Sequence, residues 1–519
     1  VNKVIVGIDL GTTYSAMAFV ELDGLRKIIK NIDGNETTPS VVHWRKNGEE
    51  IIVGKRAKNL SVGFPDETIM EIKREIGSSK IVKIYGKEYT PEGISGLILA
   101  KLKKDAEEQL REKITNVVVS VPAYFRDGER KATIAAAKIA GWKDDEITII
   151  NEPNAAAMEF GLDEKIEKGK ILVFDLGGGT FDVTVLNIGD KIFIVETNGG
   201  ERNLGGKDFD KRLMDYIIDE VKKEHKVDLN EEKYKTTKQE LVLKAEETKN
   251  ALSSNMSYDI VIDFIITDKK VNFSKEITRD KFNELTKDLV EKTKNITIKT
   301  LNDAKIDKQD LDKIVMVGGC SRIPAVRDAV KEIFPGKEIL LHDPDLAIAK
   351  GAAIYGSIFF SAKTPEEKAK QKIMREALGS SGGIVSTHAL GIEAIVNGED
   401  GIFSTIIKKD QLLPTKGTEI YYPSLDQQTE ILIKVYEGEE RIAAHPKNSK
   451  WGEMKVTEIP PKPKGVEKIE VTFEYSLVNT LRVSSKILST GKVFTEEFRA
   501  SKESVAMDNR IKEDIKYLK

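Results

Sequence analysis

One cysteine, Cys320, and five histidines are all that the 519 residues hold of the two side chains most used for zinc. A lone cysteine closes no internal disulfide, and five scattered histidines with it make no His/Cys zinc site. A reducing compartment fits that usage. Long apolar runs are missing too. No stretch approaches the ~18 residues a membrane helix needs, and the opening VNKVIVGIDLG lacks the charged-then-apolar pattern of an export signal. The expectation is a cytoplasmic protein that touches no membrane. Charge of one sign is also lacking: 82 Lys and Arg against 85 Asp and Glu leave a net charge of −3, without a block of like charge. That balance shows no nucleic-acid footprint.

What is there is a charged, multi-domain globular chain. Charged residues make up 32% and hydrophobic ones 40%, above and below the usual ~25% and ~45 to 50%. At roughly 100 to 200 residues per domain, the length suggests two to four domains.

Two segments resemble each other: VIVGIDLGTTYSAMAFVELDG near the start and KILVFDLGGGTFDVTVLNIGD from Lys170 to Asp190. Each reads as an apolar strand, then Asp-Leu-Gly and a Gly/Thr turn, then a strand of alternating apolar residues. The pair reads as an internal duplication. A third strand-to-glycine transition runs from Lys313 through Gly318 and Gly319 into an amphipathic helix. Helical patterns lie between, such as the one that Thr90 and Pro91 open. Strands alternating with helices give an α/β unit as far as about Ser361. TPEEKAKQKIMREAL then opens with a capping box, Thr364 to Glu367, and GSSGG from Gly379 to Gly383 reads as a flexible linker. Short period-2 runs with Gly, Pro and Asn turns follow, an all-β module of roughly 110 residues. A charged tail, 501–519, finishes the sequence.

The glycine of Asp9-Leu10-Gly11-Thr12-Thr13 lets the backbone bend and present N–H groups to an anion, and the threonine hydroxyls reach phosphate or metal-bound water. Asp175-Leu176-Gly177-Gly178-Gly179-Thr180 offers the same from the other half. Facing each other, the turns would clamp a polyphosphate, with Asp9 and Asp175 holding Mg²⁺ through its waters, because Mg²⁺ dehydrates reluctantly. Either turn alone is equally an ordinary Gly-rich hairpin. Two unrelated hairpins have no packing reason to share Asp-Leu-Gly and Thr, which favours the clamp. The P-loop string G-x-x-x-x-G-K-[ST] does not occur.

IDLGTTYS, VPAYFRDGERKAT, IINEPNAAA, FDLGGGTFDVT, LGGKDFD and VGGCSRIP together resemble the nucleotide-binding domain of the seventy-kilodalton heat-shock chaperones of DnaK type. The resemblance is dense over 1–361 and weaker to about Ala500. It implies a two-lobed actin/hexokinase-like ATPase fold, made of duplicated ribonuclease H-like lobes at roughly 1–170 and 171–361. A helix-and-linker stretch would follow at 362–387, then an all-β sandwich that binds peptide at 388–500. Position by position, the resemblance implies that Lys73 places the attacking water, Glu152 organises the water shell of the metal, and Thr13 and Thr180 contact the γ-phosphate. Asp9, Asp175 and Glu152 would hold Mg²⁺ through water, beside the loop glycines Gly11, Gly177, Gly178, Gly179, Gly205 and Gly206. Adenosine contacts are expected from Glu246, Lys249 and Ser253, which share a helix face, and from Gly318, Gly319, Ser321, Arg322 and Asp345. Pro122 and Arg130 match the pair that relays the nucleotide state. Without the match, Lys73 and Arg130 read as solvated surface cations, Pro122 as a strand end and Glu152 as a helix N-terminal acid. Cys320 reads as a small space-filler, since nothing beside it signals a lowered thiol pKa.

In the β module the resemblance points to a peptide groove with pocket candidates Ile395, Tyr421, Ser424, Ile431 and Ile433. The apolar ones are equally candidates for the sandwich core. Three features depart from the family pattern. The interdomain linker is polar, Thr148 stands where relatives served by J-domain partners often carry Arg, and only about 19 residues follow Ala500, where a helical lid is expected. The chain is therefore read as truncated or naturally lidless. The expected protein is a monomeric ATP-dependent chaperone in protein folding and the stress response. It would use ATP, ADP and Mg²⁺, and would bind extended polypeptides, a nucleotide-exchange factor and, less securely, a J-domain partner. The alternative is a nucleotide-dependent docking module for one dedicated partner. A kinase on the same fold is disfavoured, because the β module replaces its acceptor-binding insert.

Overall fold

The computed structural model describes residues 4–125, 127–163, 168–189, 192–266, 270–360, 369, 372, 386, 388–409, 411, 413–476, 480–499 and 513–519. The first repeat folds as β1 (Val4–Asp9), the Gly/Thr turn and β2 (Tyr14–Val20) in antiparallel register, with β3 (Arg26–Ile28) and β4 (Thr37–Pro39) both paired to β2. An insert follows. In it β5 (Val41–Arg45), β6 (Glu50–Val53) and β7 (Thr68–Met70) form a small sheet with α1 (Lys55–Leu60) against it, and β8 (Val82–Ile84) pairs with β9 (Lys87–Tyr89). Helix α2 (Pro91–Leu110) starts as its sequence demands: the Thr90 hydroxyl accepts from the Gly93 N–H, and Pro91 takes the first position. Then β10 (Ile114–Val121) and, beyond α3 (Asp127–Ile139), β11 (Ile147–Asn151) add parallel to β1. The sheet order is β11-β10-β1-β2-β3. Helix α4 (Glu152–Asp163) leads out of this lobe.

The second repeat rebuilds the same topology. Strands β12 (Lys168–Leu176), β13 (Phe181–Gly189) and β14 (Ile192–Glu201) form the antiparallel meander. An excursion follows through α5 (Gly206–His225), α6 (Lys235–Leu252), the hairpin β15 (Ser257–Ile266) and β16 (Val271–Thr278), and α7 (Arg279–Asp303). Then β17 (Lys313–Val317) and, after α8 (Pro324–Ile333), β18 (Ile339–Leu341) add parallel to β12. The order β14-β13-β12-β17-β18 repeats the first sheet strand for strand, so the duplication read from the sequence is a duplication of fold.

Helix α9 (Ala347–Phe359) follows the second sheet yet packs on β1 and β2 of the first and on α4. Its small residues allow the crossing. A Cβ on Gly351 would lie 1.8 Å from the Ala155 carbonyl oxygen, and one on Gly7 would lie 2.1 Å from the Ala353 nitrogen. One apolar core, with Ala18, Val118 and Ile150 from the first lobe and Ile171, Val173 and Val315 from the second, encloses α4 and α9. Glu159, 1% exposed, interrupts that core. Arg26 reaches it at 3.1 Å and Lys350 at 3.9 Å, and Lys350 also pairs with Asp343.

Among the described residues the third unit has eight strands: β19 (Leu390–Val396), β20 (Glu399–Ile407), β21 (Thr415–Tyr421), β22 (Ile431–Glu437), β23 (Ser449–Val456), β24 (Ile469–Tyr475), β25 (Thr480–Ile487) and β26 (Val493–Arg499). They form two four-stranded sheets, β20-β19-β22-β23 and β21-β24-β25-β26, around Leu390, Ile407, Val435, Val471, Phe473 and Val483. Period-2 patterning marked most of these strands. The helix expected at 364–378 and the Gly/Ser linker lie outside the described residues, apart from positions 369 and 372. The last residues do not hang free as a charged tail. Leu518 bridges Ile51 of β6 and is buried in the first lobe's core, the Lys519 N–H donates to the Ile51 carbonyl at 2.9 Å, and Asp514 accepts from the Tyr89 hydroxyl at 2.8 Å.

Candidate functional site

Duplication sets the two Gly/Thr turns face to face. A Cβ on Gly178 would lie 1.9 Å from Thr13 Oγ1, and one on Gly179 would lie 2.5 Å from Thr12 Oγ1, so only glycine lets the halves approach this closely. The first turn is braced by Ser40, whose hydroxyl donates to the Gly11 carbonyl at 2.8 Å, and by Ser15, which accepts from the Gly11 N–H at 3.2 Å. The second rests on the start of α5: the Gly206 and Lys207 N–H groups donate to the Gly177 and Gly178 carbonyls. Between the turns opens a cavity of about 1000 Å³.

Its floor is acidic. Asp9 accepts from Ser120 at 3.0 Å and is pushed up to about 6 by burial and the nearby Glu152 carboxylate. Burial and the same neighbour raise Asp175 and Asp182 well above the usual carboxylate range. One cation answers them at close range: Lys73 Nζ donates to Glu152 Oε1 at 2.6 Å, both side chains being buried. Burial works against the ammonium, but Glu152 and Asp9 outweigh it and hold the Lys73 pKa above its ordinary value. Among the described residues no three carboxylate, His or Cys side chains are grouped to ligate an ion directly. The group of buried carboxylates, whose charged forms a cation would favour, is chemically suited to Mg²⁺ held through water. The Thr13 hydroxyl is buried in the turn without a hydrogen-bond partner.

The family model described as Hsp70 protein matches residues 5–84 and 79–517. The chaperone protein DnaK of Thermosipho melanesiensis is 42% identical over 524 residues, which cover 99% of this chain and 83% of that protein. Those of Thermotoga neapolitana and Thermotoga maritima are 41% and 40% identical over 535 residues, covering 99% of this chain and 86% of theirs. The chain belongs to the Hsp70 family. The protein is an ATP-dependent molecular chaperone and an ATPase, with ATP, ADP and Mg²⁺ as its ligands. No helix among the described residues is long and apolar enough to cross a membrane.

In this Hsp70 the cavity is lined by Asp9, Gly11, Thr12, Thr13, Lys73, Glu152, Asp175, Gly177, Gly178, Gly179 and Thr180. Glu246, Lys249, Ser253, Gly318, Gly319, Arg322 and Asp345 complete the expected part of the wall. Three expected residues do not line it. Gly205 and Gly206 stand behind the second turn as its support, and Ser321 is fully buried with its hydroxyl donating to the Val317 carbonyl at 2.5 Å. Glu246 is engaged across the cleft, accepting from the Tyr14 hydroxyl at 2.9 Å and from Lys58 at 2.8 Å. Burial opposes its charge, yet the Lys207 and Lys58 ammoniums hold its pKa down at about 2. Lys249 pairs with Asp210 at 2.8 Å, and Arg322 with Asp345 at 2.5 Å. Burial pushes the Cys320 thiol up to about 11, which suits a space-filler.

Sequence reading passed over several of these Hsp70 residues. Arg74 joins the lobes by donating to the Gly179 carbonyl at 2.9 Å and to Asp208 at 2.8 Å. Its one signal was adjacency to Lys73. Asp182 sits two residues beyond Thr180 in the second repeat, where an inward strand position was legible. Tyr14, Lys207 and Asp210 lie inside the quoted IDLGTTYS and LGGKDFD motifs without a role read for them, and Lys58 gave no local signal. Pro122 directly follows β10, and Arg130 donates to the Phe125 carbonyl at 2.9 Å and to Asn151, the residue before Glu152, at 2.6 Å. In the sandwich, Ile395 is exposed, Tyr421 bonds Ser404 at 2.9 Å, Ser424 is exposed and Ile431 is half-buried. Ile433 belongs to the core between the sheets, so the core reading fits it better than an open groove.

Proposed function

We propose that this chain couples hydrolysis of ATP in the cleft of residues 1–361 to binding and release of extended, aliphatic-rich segments of unfolded polypeptides by the β-sandwich of residues 388–500. The supporting observation is the apposition of the two Gly/Thr turns over a buried Lys73–Glu152 pair. Phosphoryl transfer asks a protein mainly for placement and charge. Turn N–H groups and the hydroxyls of Thr12 and Thr13 take the phosphates, and Thr180 orients the water for in-line attack on the γ-phosphorus. Lys73 offsets charge on the transferring group. Asp9, Asp175 and Glu152 would hold Mg²⁺ through its waters, and the ion when bound would supply positive charge against the phosphates. Gly319, Ser253 and Lys249 take the adenosine end.

Arg130 and Pro122 report the state of that centre, through Asn151 and Glu152. Partners of this reading are unfolded polypeptides, a J-domain co-chaperone and an exchange factor, met by a monomer in the cytoplasm. Ile395, Tyr421, Ser424 and Ile431 form the peptide groove, with Ile433 beneath it. Steady-state ATPase with and without a saturating extended aliphatic peptide tests the coupling. Turnover should change with peptide; a peptide that neither binds nor alters turnover sinks it.

A further inference from the structure

Strand β6 ends its three-stranded sheet, ordered β6-β5-β7, and a sheet edge is a template for further main chain. Residues from the other end of the sequence use it. Leu518 bridges Ile51 in parallel register, and the Lys519 N–H donates to the Ile51 carbonyl at 2.9 Å. The Leu518 side chain joins the core that holds Trp44, Ile51 and Tyr89, with Ile515 and Tyr517 partly buried against it. Lys104 Nζ donates to the Leu518 carbonyl at 3.3 Å. Four residues before Leu518, Asp514 is 4% exposed and accepts from the Tyr89 hydroxyl at 2.8 Å and from Lys87 Nζ at 3.1 Å. The turn Ile515–Tyr517 sets that spacing, as the Leu518 N–H donates to the Ile515 carbonyl at 3.1 Å.

Three kinds of contact therefore meet on one short segment: main-chain pairing at the β6 edge, an aliphatic side chain in the core, and a buried carboxylate on a hydroxyl and an ammonium. Edge pairing gives affinity for any extended main chain, while the leucine and the aspartate select among such chains. The two cations, Lys87 and Lys104, favour an acidic segment whose carbonyls also need donors. We propose that the β6 edge with Lys87, Tyr89 and Lys104 is a peptide-docking site on the first lobe for acidic-aliphatic segments, and that its resident occupant is the chain's own segment 513–519. None of these residues lines the nucleotide cavity, so the inference stands apart from the ATP reading. Strand β26 ends at Arg499, and residues 500–512 alone join it to the docked segment, a reach of at most about 50 Å. Docking thereby gives the sandwich a second connection to the ATPase unit.

Fluorescence anisotropy of a fluorescein-labelled, C-terminally amidated peptide of residues 511–519, titrated with the full chain, tests this. In the unaltered chain the resident segment competes at about millimolar effective concentration, so Leu518→Asp, whose segment cannot seat, should bind the peptide at least roughly tenfold more tightly. Asp514→Ala, milder for the core of the lobe, should admit the peptide to an intermediate degree and decides the matter if Leu518→Asp does not fold. Adding Tyr89→Phe to either variant removes the hydroxyl that holds the aspartate and should weaken the peptide roughly fivefold. Equal binding by the unaltered and the Asp514→Ala chains would overturn the inference. So would binding that Tyr89→Phe leaves unchanged, because the peptide would then sit elsewhere, the sandwich included.

Discussion

Replacing Lys73 by alanine removes the ammonium that neutralises the acidic floor of the cleft. Its Nζ lies 2.6 Å from Glu152, both groups are less than 10% exposed, and Asp9, Asp175 and Asp182 feel the same charge. Breaking a buried pair by deleting one partner costs about 3 to 5 kcal/mol, because a desolvated charge is left behind. The pH dependence carries the diagnostic. Asp9, Asp175 and Asp182 already have folded pKa values above their ordinary range, Asp9 at about 6. A carboxylate raised on folding binds its proton more tightly in the native state, so stability falls as pH rises from the unfolded value through the folded one. Losing Lys73 raises the folded values further. The deficit should therefore be smaller at pH 5, below the Asp9 value of about 6, than at pH 8. Urea unfolding in EDTA, followed by tryptophan fluorescence with Trp44 and Trp142 both buried in the first lobe, should show a midpoint lower by about 1 to 2 M at pH 8. At pH 5 the difference should be less than half as large. ATP turnover should vanish while nucleotide binding persists. Equal midpoints at pH 8, or a deficit independent of pH, would refute this account of the floor.

Three other outcomes follow from the same geometry. Cation binding at the floor needs ionised carboxylates, so the affinity for Mg·ADP should fall about tenfold per pH unit below the Asp9 pKa of about 6 and stay flatter in Asp9→Asn, as calorimetry at pH 5, 6 and 7.5 would show. Gly178→Ala places a methyl 1.9 Å from Thr13 Oγ1 and should weaken ADP about tenfold by wedging the turns apart, whereas Gly177→Ala, whose nearest neighbour would be 3.7 Å away, should leave binding almost unchanged. Glu159→Ala removes the buried carboxylate that Arg26 and Lys350 reach at the lobe junction and should cost about 3 kcal/mol in denaturant unfolding, with a neutral result counting against a structural role for the contact.

The duplication was legible because β1 and β12 carry the same apolar run into the same Asp-Leu-Gly turn, and a shared turn needs a shared strand pairing on either side. Helix α2 was legible for a local reason, since Thr90 and Pro91 serve their own first turn. Strands β23 and β26 were harder. SKWGEMKV is broken by Gly452, in a positive-φ conformation beside a register shift, and VFTEEFR is acidic at its centre. In both, pairing partners decide the strand rather than its own alternation. The site divides in the same way. Lys73, Glu152 and the turn residues sit in motifs and line the cavity. Gly205, Gly206 and Ser321 sit in equally good motifs, yet their task is to support the layer in front of them, and only tertiary packing separates the two roles.

The two ends of the interlobe contact are built from different materials, and that difference sets how the cleft works. At its base, α9 crosses α4 at Gly351 and β1 at Gly7 among the alanines of both helices, a close-packed apolar contact whose atoms have no better partner to move to. Even the charged exception, Glu159, is enclosed there. At its mouth the lobes meet through exchangeable polar groups: Tyr14 and Lys58 on Glu246, Arg74 on Gly179 and Asp208, and Gln239 on Ser61. Each of these can trade its partner for water or for a ligand at little net cost. Parting the mouth would therefore break fewer close-packed contacts than parting the helices. Glu246 lines the nucleotide cavity and also carries the Tyr14 and Lys58 bonds, so a ribose that claims its carboxylate competes with the lobe-to-lobe tie itself.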